Sequence, residues 1–308
     1  MTLSKRLILP ACIALGVLVA VVLLRQSLLA AEPSSIKGDA LSAKFPIFKS
    51  QLEKNQFGLP LYLESQEEYG SLHVDVYGIV DFPFDSVSDA FRTPENWCDI
   101  NIPLINVKAC TFGKVSDQWL LTLYSGRKYY QPPKDAYKLD FQFDIAALQP
   151  EYLDVAFTAE NGPLYTTDHR IRFEAVPLDA GRTFIHFSYD YSYGALARAA
   201  IKAYFATLGR EKKGFSIIAT DNKGDPVYVG GVRGSVERYA IRYYFVIQTY
   251  MDTFILPMNL RFEKQISRWY DLTERYPRQL HELDKGEYLA NKRREHNNQL
   301  LLQREAEQ

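Results

Sequence analysis

The chain has 308 residues, and 36 lysines and arginines nearly balance 37 aspartates and glutamates, so the formal net charge at pH 7 is -1. A nearly neutral chain lacks the basic field that nucleic-acid binding requires, and no nucleic-acid partner is expected. Apolar residues make up 47% of the sequence and aromatic residues 14%, which excludes general disorder and predicts a substantial core.

The N-terminus carries an apolar segment. Lys5 and Arg6 precede the run 7–24, which contains no charged side chain. Its length fits a short spanning helix of about 17 to 25 residues, whereas the small residues near Ala31 resemble a signal-peptidase site. Residues 1–31 are therefore either a membrane anchor or a cleaved signal peptide, and the membrane is a partner through 7–24 if the segment is retained. The basic prefix predicts that the rest lies outside the cytoplasm, in the cell envelope or secreted.

Two cysteines, Cys98 and Cys110, lie in the part that is predicted to be exported. An oxidising compartment favours a disulfide between them, which would close a loop of about a dozen residues and stabilise the fold by roughly 3 kcal/mol. The histidines are scattered, and none stands at metal-ligand spacing from another. Neither a metal nor another cofactor is expected.

Alternating apolar and polar residues predict a run of antiparallel strands joined by short turns. The first strand covers 71–81, and a short helix follows at 86–92 and ends at Pro94, before a loop that contains Trp97. Further strands are predicted at 104–112, 118–129, 136–146, 151–159, 166–176 and 182–193.

The last third of the sequence is mainly helical by pattern. A helix at 195–208 interrupts the sheet and is followed by a hairpin within 214–230. A long helix at 235–254 carries an apolar stripe that is expected to face a core. A second helix is predicted at 260–276, and the charged segment 284–308 is predicted to be a solvated helix.

This order of elements resembles the START-like, or helix-grip, superfamily, which includes polyketide cyclases. The best local match is 76–101, where the strand ending Gly78-Ile79-Val80-Asp81 leads into the helix that opens the fold. The resemblance implies an α+β helix-grip fold, in which a curved antiparallel β-sheet wraps around a long C-terminal α-helix and an apolar ligand lies between them. The expected units are a signal peptide or anchor, a linker or N-terminal extension, a START-like domain and a C-terminal helical extension, at 1–31, 32–69, 70–256 and 257–308.

The resemblance favours a ligand cavity between sheet and helix, although periodicity assigns only the face of each strand and also allows a filled core. The candidate pocket residues are the inward strand positions and the apolar stripe of the long helix. They are Tyr137, Leu139, Phe141, Phe143, Leu153, Val155, Phe157, Phe187, Tyr189, Tyr191, Tyr239, Tyr243, Val246 and Tyr250.

Polar candidates are fewer. No nucleophile motif, phosphate-binding loop or helical histidine pair is present in the sequence. An enzyme on this fold would use strand residues such as His186, Asp190, Asp154 and Arg172, but the alternation places these on the solvent face.

Three arginines mark the start of the long helix. Arg233 is four residues from Glu237 and is expected to pair with it, whereas Arg238 and Arg242 form a basic stripe opposite the apolar face. The stripe is either a contact for an anionic headgroup or an ordinary exposed helix face.

The leading hypothesis is a non-enzymatic protein that binds a lipid or another apolar small molecule outside the cytoplasm, with transport of that ligand as an extension of the same role. The first alternative is an enzyme of the cyclase or aromatase type on the same fold. The second is a structural envelope protein that uses the residues after Pro257 to hold a partner.

Overall fold

A computed structural model describes residues 34–207, 209 and 212–308. One curved sheet of eight strands dominates it: β1 (Leu61–Glu68), β2 (Ser71–Val80), β3 (Val107–Val115), β4 (Gln118–Ser125), β5 (Tyr137–Gln149), β6 (Tyr152–Asn161), β7 (Thr166–Pro177) and β8 (Thr183–Tyr193). The strands are antiparallel throughout, in the order β1-β2-β8-β7-β6-β5-β4-β3. The predicted meander is confirmed, because consecutive strands from β3 to β8 are neighbours in the sheet, and β2 pairs with β8 only after the chain has crossed the sheet.

Helices lie on both sides of this sheet and after it: α1 (Ser34–Glu53), α2 (Phe84–Phe91), α3 (Pro94–Asn101), α4 (Ala195–Ala206), α5 (Gly231–Phe254), α6 (Met258–Thr273), α7 (Pro277–Leu280) and α8 (Lys285–Ala306). Short 3-10 turns occupy Pro133–Asp135 and Pro163–Tyr165. A separate two-stranded hairpin contains β9 (Ile217–Thr220) and β10 (Pro226–Tyr228). The strands after α4 therefore do not resume the main sheet, since this short hairpin pairs only with itself.

The long helix α5 lies against the inner face of the sheet. It packs on β1, β2 and β8, and the rings of Phe187 and Tyr243 stack at 4.5 Å. Gly78 on β2 allows the close approach, because a Cβ atom at this position would lie 2.3 Å from the ring of Tyr244. A curved antiparallel sheet around a long C-terminal helix is the helix-grip fold, and the fold prediction is confirmed.

Two short helices close one end of the space between the sheet and α5. The sequence predicts that the first helix ends at Pro94 and that a loop follows, but Pro94 begins the second helix, α3. Proline is well tolerated at the first position of a helix, where its missing N–H group has no intrahelical partner. Trp97 and Cys98 therefore lie on a helix, and the predicted disulfide between Cys98 and Cys110 joins α3 to β3.

The outer face of the sheet is covered by α1, within the region predicted to be a linker or N-terminal extension. Phe45 packs against Phe184, and Phe48 packs between Tyr62 and Tyr77. Strand β1 also lies in that region and pairs with β2 along its full length. Outward-facing aromatic residues on β2 and β8 are buried as a result.

The C-terminal segment is packed against the protein, so the prediction of a solvated helix at 284–308 is wrong. Helix α8 lies along β3, the last strand of the sheet. The amide of Gln299 accepts a hydrogen bond from the N–H of Cys110 at 2.8 Å, and Gln303 both accepts from and donates to the backbone of Phe112. Side-chain amides thus satisfy backbone groups that an edge strand would otherwise leave unpaired.

The charged sequence of α8 predicts an exposed helix, but some of its charged side chains are buried. Lys292 and Glu295 are fully buried, and Glu295 pairs with the buried Lys108 at 2.7 Å. Lys292 also donates to the backbone carbonyls of Leu104 and Val107. A charged pattern normally indicates exposure, but these two charges have buried partners.

The apolar run 7–24 lies outside the described residues. Within them, none of the helices has both the length and the apolar character needed to cross a bilayer.

Candidate functional site

A cavity of about 430 Å³ lies between the inner face of the sheet and the N-terminal half of α5. This volume falls in the range of about 300 to 1,000 Å³ that is common for small-molecule sites. Ile201 and Phe205 on α4 cover one side, and Leu164, which is 66% exposed, lies where the cavity meets the surface. Apolar side chains form most of the wall, with a few tyrosine, histidine, serine and arginine groups among them.

Five of the predicted pocket residues line this cavity: Leu139, Phe141, Tyr189, Tyr191 and Tyr239. Eight others belong to the packed core and do not line it: Phe143, Leu153, Val155, Phe157, Phe187, Tyr243, Val246 and Tyr250. They face inward as predicted, but other side chains fill the space beside them. Trp97 packs on Phe157 with ring centroids 4.8 Å apart, and Phe91 stacks on Phe173 at 4.3 Å.

Tyr137 is the remaining predicted pocket residue, and its placement differs from the prediction. It stands at the first position of β5 and is 42% exposed. It lines a second, more polar groove of about 540 Å³ together with Lys138 and Asp140. Alternation fails here at the end of the strand, where the side chain is exposed instead of packed against α5.

His169 is the polar centre of one cavity wall. Its Nδ1 atom lies 2.7 Å from the hydroxyl of Tyr189, and its Nε2 atom lies 2.9 Å from that of Thr166. The ring also stacks on Tyr191 at 5.5 Å. Burial lowers the pKa of His169, so that the neutral imidazole is favoured at pH 7.

The backbone around His169 is built to admit the ring. A Cβ atom at Gly162 would lie 2.0 Å from its Nε2 atom, so only glycine fits at this position. Asp168 has a φ of 54°, and the pairing of β7 with β8 shifts register between Thr167 and Arg170. His169 shares the parity of Ile171 and Phe173, so alternation also places it on the inner face, and the irregularity lies immediately before it.

Arg242 lies at the opposite polar wall. The prediction of an exposed basic stripe is wrong, since Arg238 and Arg242 are only 5% and 8% exposed. Both guanidinium groups contact Glu282, and they also donate to the backbone carbonyls of Gln279 and Leu280. The C-terminal extension covers them, which the helix pattern of α5 alone does not reveal.

Arg233 stands apart from the cavity. Its Nε atom donates to the hydroxyl of Ser65 at 2.7 Å and lies 3.7 Å from Glu237, which is the pair that the four-residue spacing predicts. Glu237 is completely buried and accepts backbone hydrogen bonds from Phe215 and Ser216. This group ties the hairpin segment to the start of α5.

The strand residues weighed as enzyme candidates lie on the outer face of the sheet and do not line the cavity. Arg172 and Asp190 are partly exposed there, whereas Asp154 and His186 are 1% and 8% exposed, so the prediction of solvent exposure is wrong for these two. They are buried because that face lies under α1.

These outer residues form a continuous polar network. His186 bridges Glu174 and Asp75 at 2.8 and 2.7 Å, and His73 bridges Asp75 and Asp190 at 2.6 and 2.5 Å. Hydrogen bonds with Asp190 and then Asp75 raise the pKa of His73 to about 10. The charged groups of the network are therefore paired with one another. No group of acidic, histidine or cysteine side chains suited to a metal occurs in the described residues.

The sequence pattern missed His169, Thr166 and the α4 residues Ile201 and Phe205. Gly162 next to a proline was the available signal, because a glycine before a strand often marks a close approach. The chain offered no equivalent signal for Arg242, whose position in the cavity depends on a segment about forty residues later in sequence.

No family model matches this sequence, and no curated protein matches it. Several solved structures are similar to this chain at low sequence identity. An aromatase/cyclase of Streptomyces sp. R1128 is 14% identical, with 44% of this chain and 85% of that chain covered and a TM-score of 0.31. Norcoclaurine synthase of Thalictrum flavum, as a point mutant, is 12% identical, with 46% and 90% covered and a TM-score of 0.34. A hypothetical protein of Helicobacter pylori is 12% identical, with 57% and 86% covered and a TM-score of 0.36.

Proposed function

We propose that this protein binds a lipid or another apolar small molecule in the cavity between the sheet and α5. The cavity itself carries the proposal. Its wall is mainly apolar, it reaches the surface beside Leu164, and a few polar groups stand at separate points around it. Such a wall stabilises a largely apolar ligand by removing it from water and leaves the polar groups to orient it.

We further propose that the protein works outside the cytoplasm, either tethered by residues 7–24 or released from them. The buried disulfide between Cys98 and Cys110 supports this location, since such bonds persist mainly in oxidising compartments. A ligand site near a bilayer would suit transfer of an apolar molecule from the membrane, with α4 as the element that covers the site.

The test is to purify the full chain, extract it with organic solvent and identify bound molecules by mass spectrometry. We expect a co-purifying apolar molecule and saturable binding of fluorescent fatty acids or sterols. The matched control is Val236→Phe, which places a larger side chain in the cavity wall and should lower the bound amount. Repeated recovery of no ligand, with no binding of either probe, would contradict the proposal.

An enzyme of the cyclase type is the second candidate, and His169 is the observation that favours it. A neutral histidine that contacts a tyrosine hydroxyl inside an apolar cavity has the geometry of a general base. The test compares the molecules extracted from wild type and from His169→Gln. An enzyme should retain a different molecule, its unconverted substrate, in the variant, whereas a binding protein should carry the same molecule in both.

A further inference from the structure

The cavity has one buried hydrogen-bond donor without a partner. Arg242 lines the cavity, and its Nη2 atom donates to Leu280 O and to Glu282 Oε1, both at 3.0 Å. Its Nε atom is buried and has no hydrogen-bond partner in the described part of the chain. An unpaired buried donor is costly, so a ligand oxygen that draws the Arg242 guanidinium group toward the cavity gains more than the same contact would gain in water.

The charge around Arg242 is also unbalanced. Arg238 and Arg242 are both buried and share the carboxylate of Glu282. Lys128, which is about one-third exposed, contacts the same carboxylate. Solvent screens the more exposed Lys128, so the two buried guanidinium groups against one carboxylate leave one buried positive charge, which is unfavourable without a counter-ion.

Both partners keep their charge at neutral pH. Burial lowers the pKa of Arg242 to about 10, which is still well above 7. Burial opposes ionisation of Glu282, but Arg242, Lys128 and Arg238 together lower its pKa to about 2. The positive excess is therefore present under physiological conditions, and protonation changes within the cluster do not remove it.

We propose that the cavity takes an amphipathic anion with a long apolar body and a carboxylate head, and that this head pairs with the guanidinium group of Arg242. This inference rests on the proposed function and specifies its ligand. The body would lie along the wall formed by Leu139, Phe141 and Ile201. One carboxylate matches the single positive excess, and a guanidinium N–H is a strong donor to it.

The test uses the full chain, an uncharged fluorescent probe such as N-phenyl-1-naphthylamine, and a series of competitors with one chain length. The competitors are hexadecanoate, hexadecanol, hexadecyl phosphate and hexadecylammonium. We expect hexadecanoate to displace the probe at a concentration about tenfold lower than hexadecanol or less, and hexadecylammonium to be weakest. Equal potency of the acid and the alcohol would overturn the inference, as would a phosphate that competes better than the carboxylate.

The wild-type series separates the two proposals. If the probe binds and the alcohol competes as well as the acid, the anionic ligand is excluded while the apolar site stands. If no probe or competitor binds, the proposed function fails as well.

Variants add a test of position. Arg242→Met should remove the preference for acid over alcohol, whereas Arg268→Met, at a half-exposed site paired with Asp252, should leave it unchanged. Glu282→Gln removes the competing carboxylate and should strengthen binding of hexadecanoate. Circular dichroism identifies any variant that does not fold, and weaker hexadecanoate binding by a folded Glu282→Gln would contradict the inference.

Discussion

The space between the sheet and α5 is packed at one end and open at the other. At the filled end, Phe91, Trp97 and Phe173 interlock with the C-terminal half of the helix, and Tyr250 packs against Phe91 at 6.1 Å. At the open end, the N-terminal half of the same helix lines the cavity. The ends differ because α2 and α3 insert aromatic rings at one of them, while α4 only covers the other.

Under the proposed function, stability and binding depend on separate stretches of one helix. The filled end has the dense packing of an ordinary protein core, where each removed or added methylene group is felt. The open end is lined by similar residue types but has free volume, so it should tolerate larger side chains. Substitutions at the filled end should therefore change mainly the free energy of unfolding, whereas substitutions at the open end should change mainly ligand binding.

The largest effect is expected at the filled end. Trp97 is fully buried, packs against Phe91, Phe157 and Phe173, and donates a hydrogen bond to the carbonyl of Phe91. Trp97→Ala should lower the free energy of unfolding by about 3 to 5 kcal/mol. Urea denaturation followed by circular dichroism measures this loss.

Trp119→Ala is the matched control, because Trp119 is only partly buried on β4 and does not belong to the filled end. Trp119→Ala should lower the free energy of unfolding by clearly less than Trp97→Ala. Equal costs at the two tryptophans would mean that the ring cluster around Trp97 adds nothing beyond ordinary burial.

The same substitution at two valines of α5 tests the contrast between the filled end and the open end. Val246 is fully buried in the filled end, and Val236 lines the cavity. Val246→Phe should lower the free energy of unfolding by about 1 to 3 kcal/mol through overpacking, whereas Val236→Phe should cost well under 1 kcal/mol. Thermal or urea unfolding of the two variants side by side gives the comparison.

In the binding assay, the larger effect is expected from the substitution at Val236 instead of the one at Val246. Val236→Phe should displace the fluorescent probe, and Val246→Phe should retain it wherever the variant is folded. A Val236→Phe variant that is as unstable as Val246→Phe would show that the open end is packed in solution.

Sequence reasoning predicted the strands and the long helix because strand alternation and the stripe of α5 are local patterns, and the resemblance in the order of elements supplied the fold. Leu139 and Val155 both face inward, and the same rule identified both. Only Leu139 lines the cavity, whereas Val155 belongs to the packed core. The aromatic rings that fill the core come from α2 and α3, which lie elsewhere in the chain. Periodicity reports which side of a strand is buried and contains no information about the volume left beside it.

The errors about charge have a related cause. Lys292 on α8 and His186 on β8 lie in polar patterns that ordinarily indicate solvent. Each is buried because a distant segment supplies partners, the backbone of residues 104–107 for Lys292 and the acidic groups under α1 for His186. Helix α1 itself was missed, and it contains Pro46, a residue that ordinarily argues against a helix interior.

The smallest expected effect concerns histidines on the two faces of the sheet. His73 on the outer face has a pKa raised to about 10, so its protonated form stabilises the folded state. That contribution is fully present below about pH 6.5 and is lost as the pH rises through 10. His169 in the cavity has a lowered pKa, so its contribution is present above about pH 6.5 and is lost as the pH falls.

The two histidines should thus give opposite slopes of unfolding free energy against pH. Urea denaturation between pH 5 and 10 should show that His73→Gln reduces the loss of stability on the alkaline side, and that His169→Gln reduces the loss on the acid side. The comparison with wild type is needed because Lys128 and Lys292, whose pKa values burial lowers to about 8, gain stability over the alkaline range. If both variants changed the same side of the profile, the two histidines would not differ in charge, and the cavity wall would carry a protonated imidazole at neutral pH.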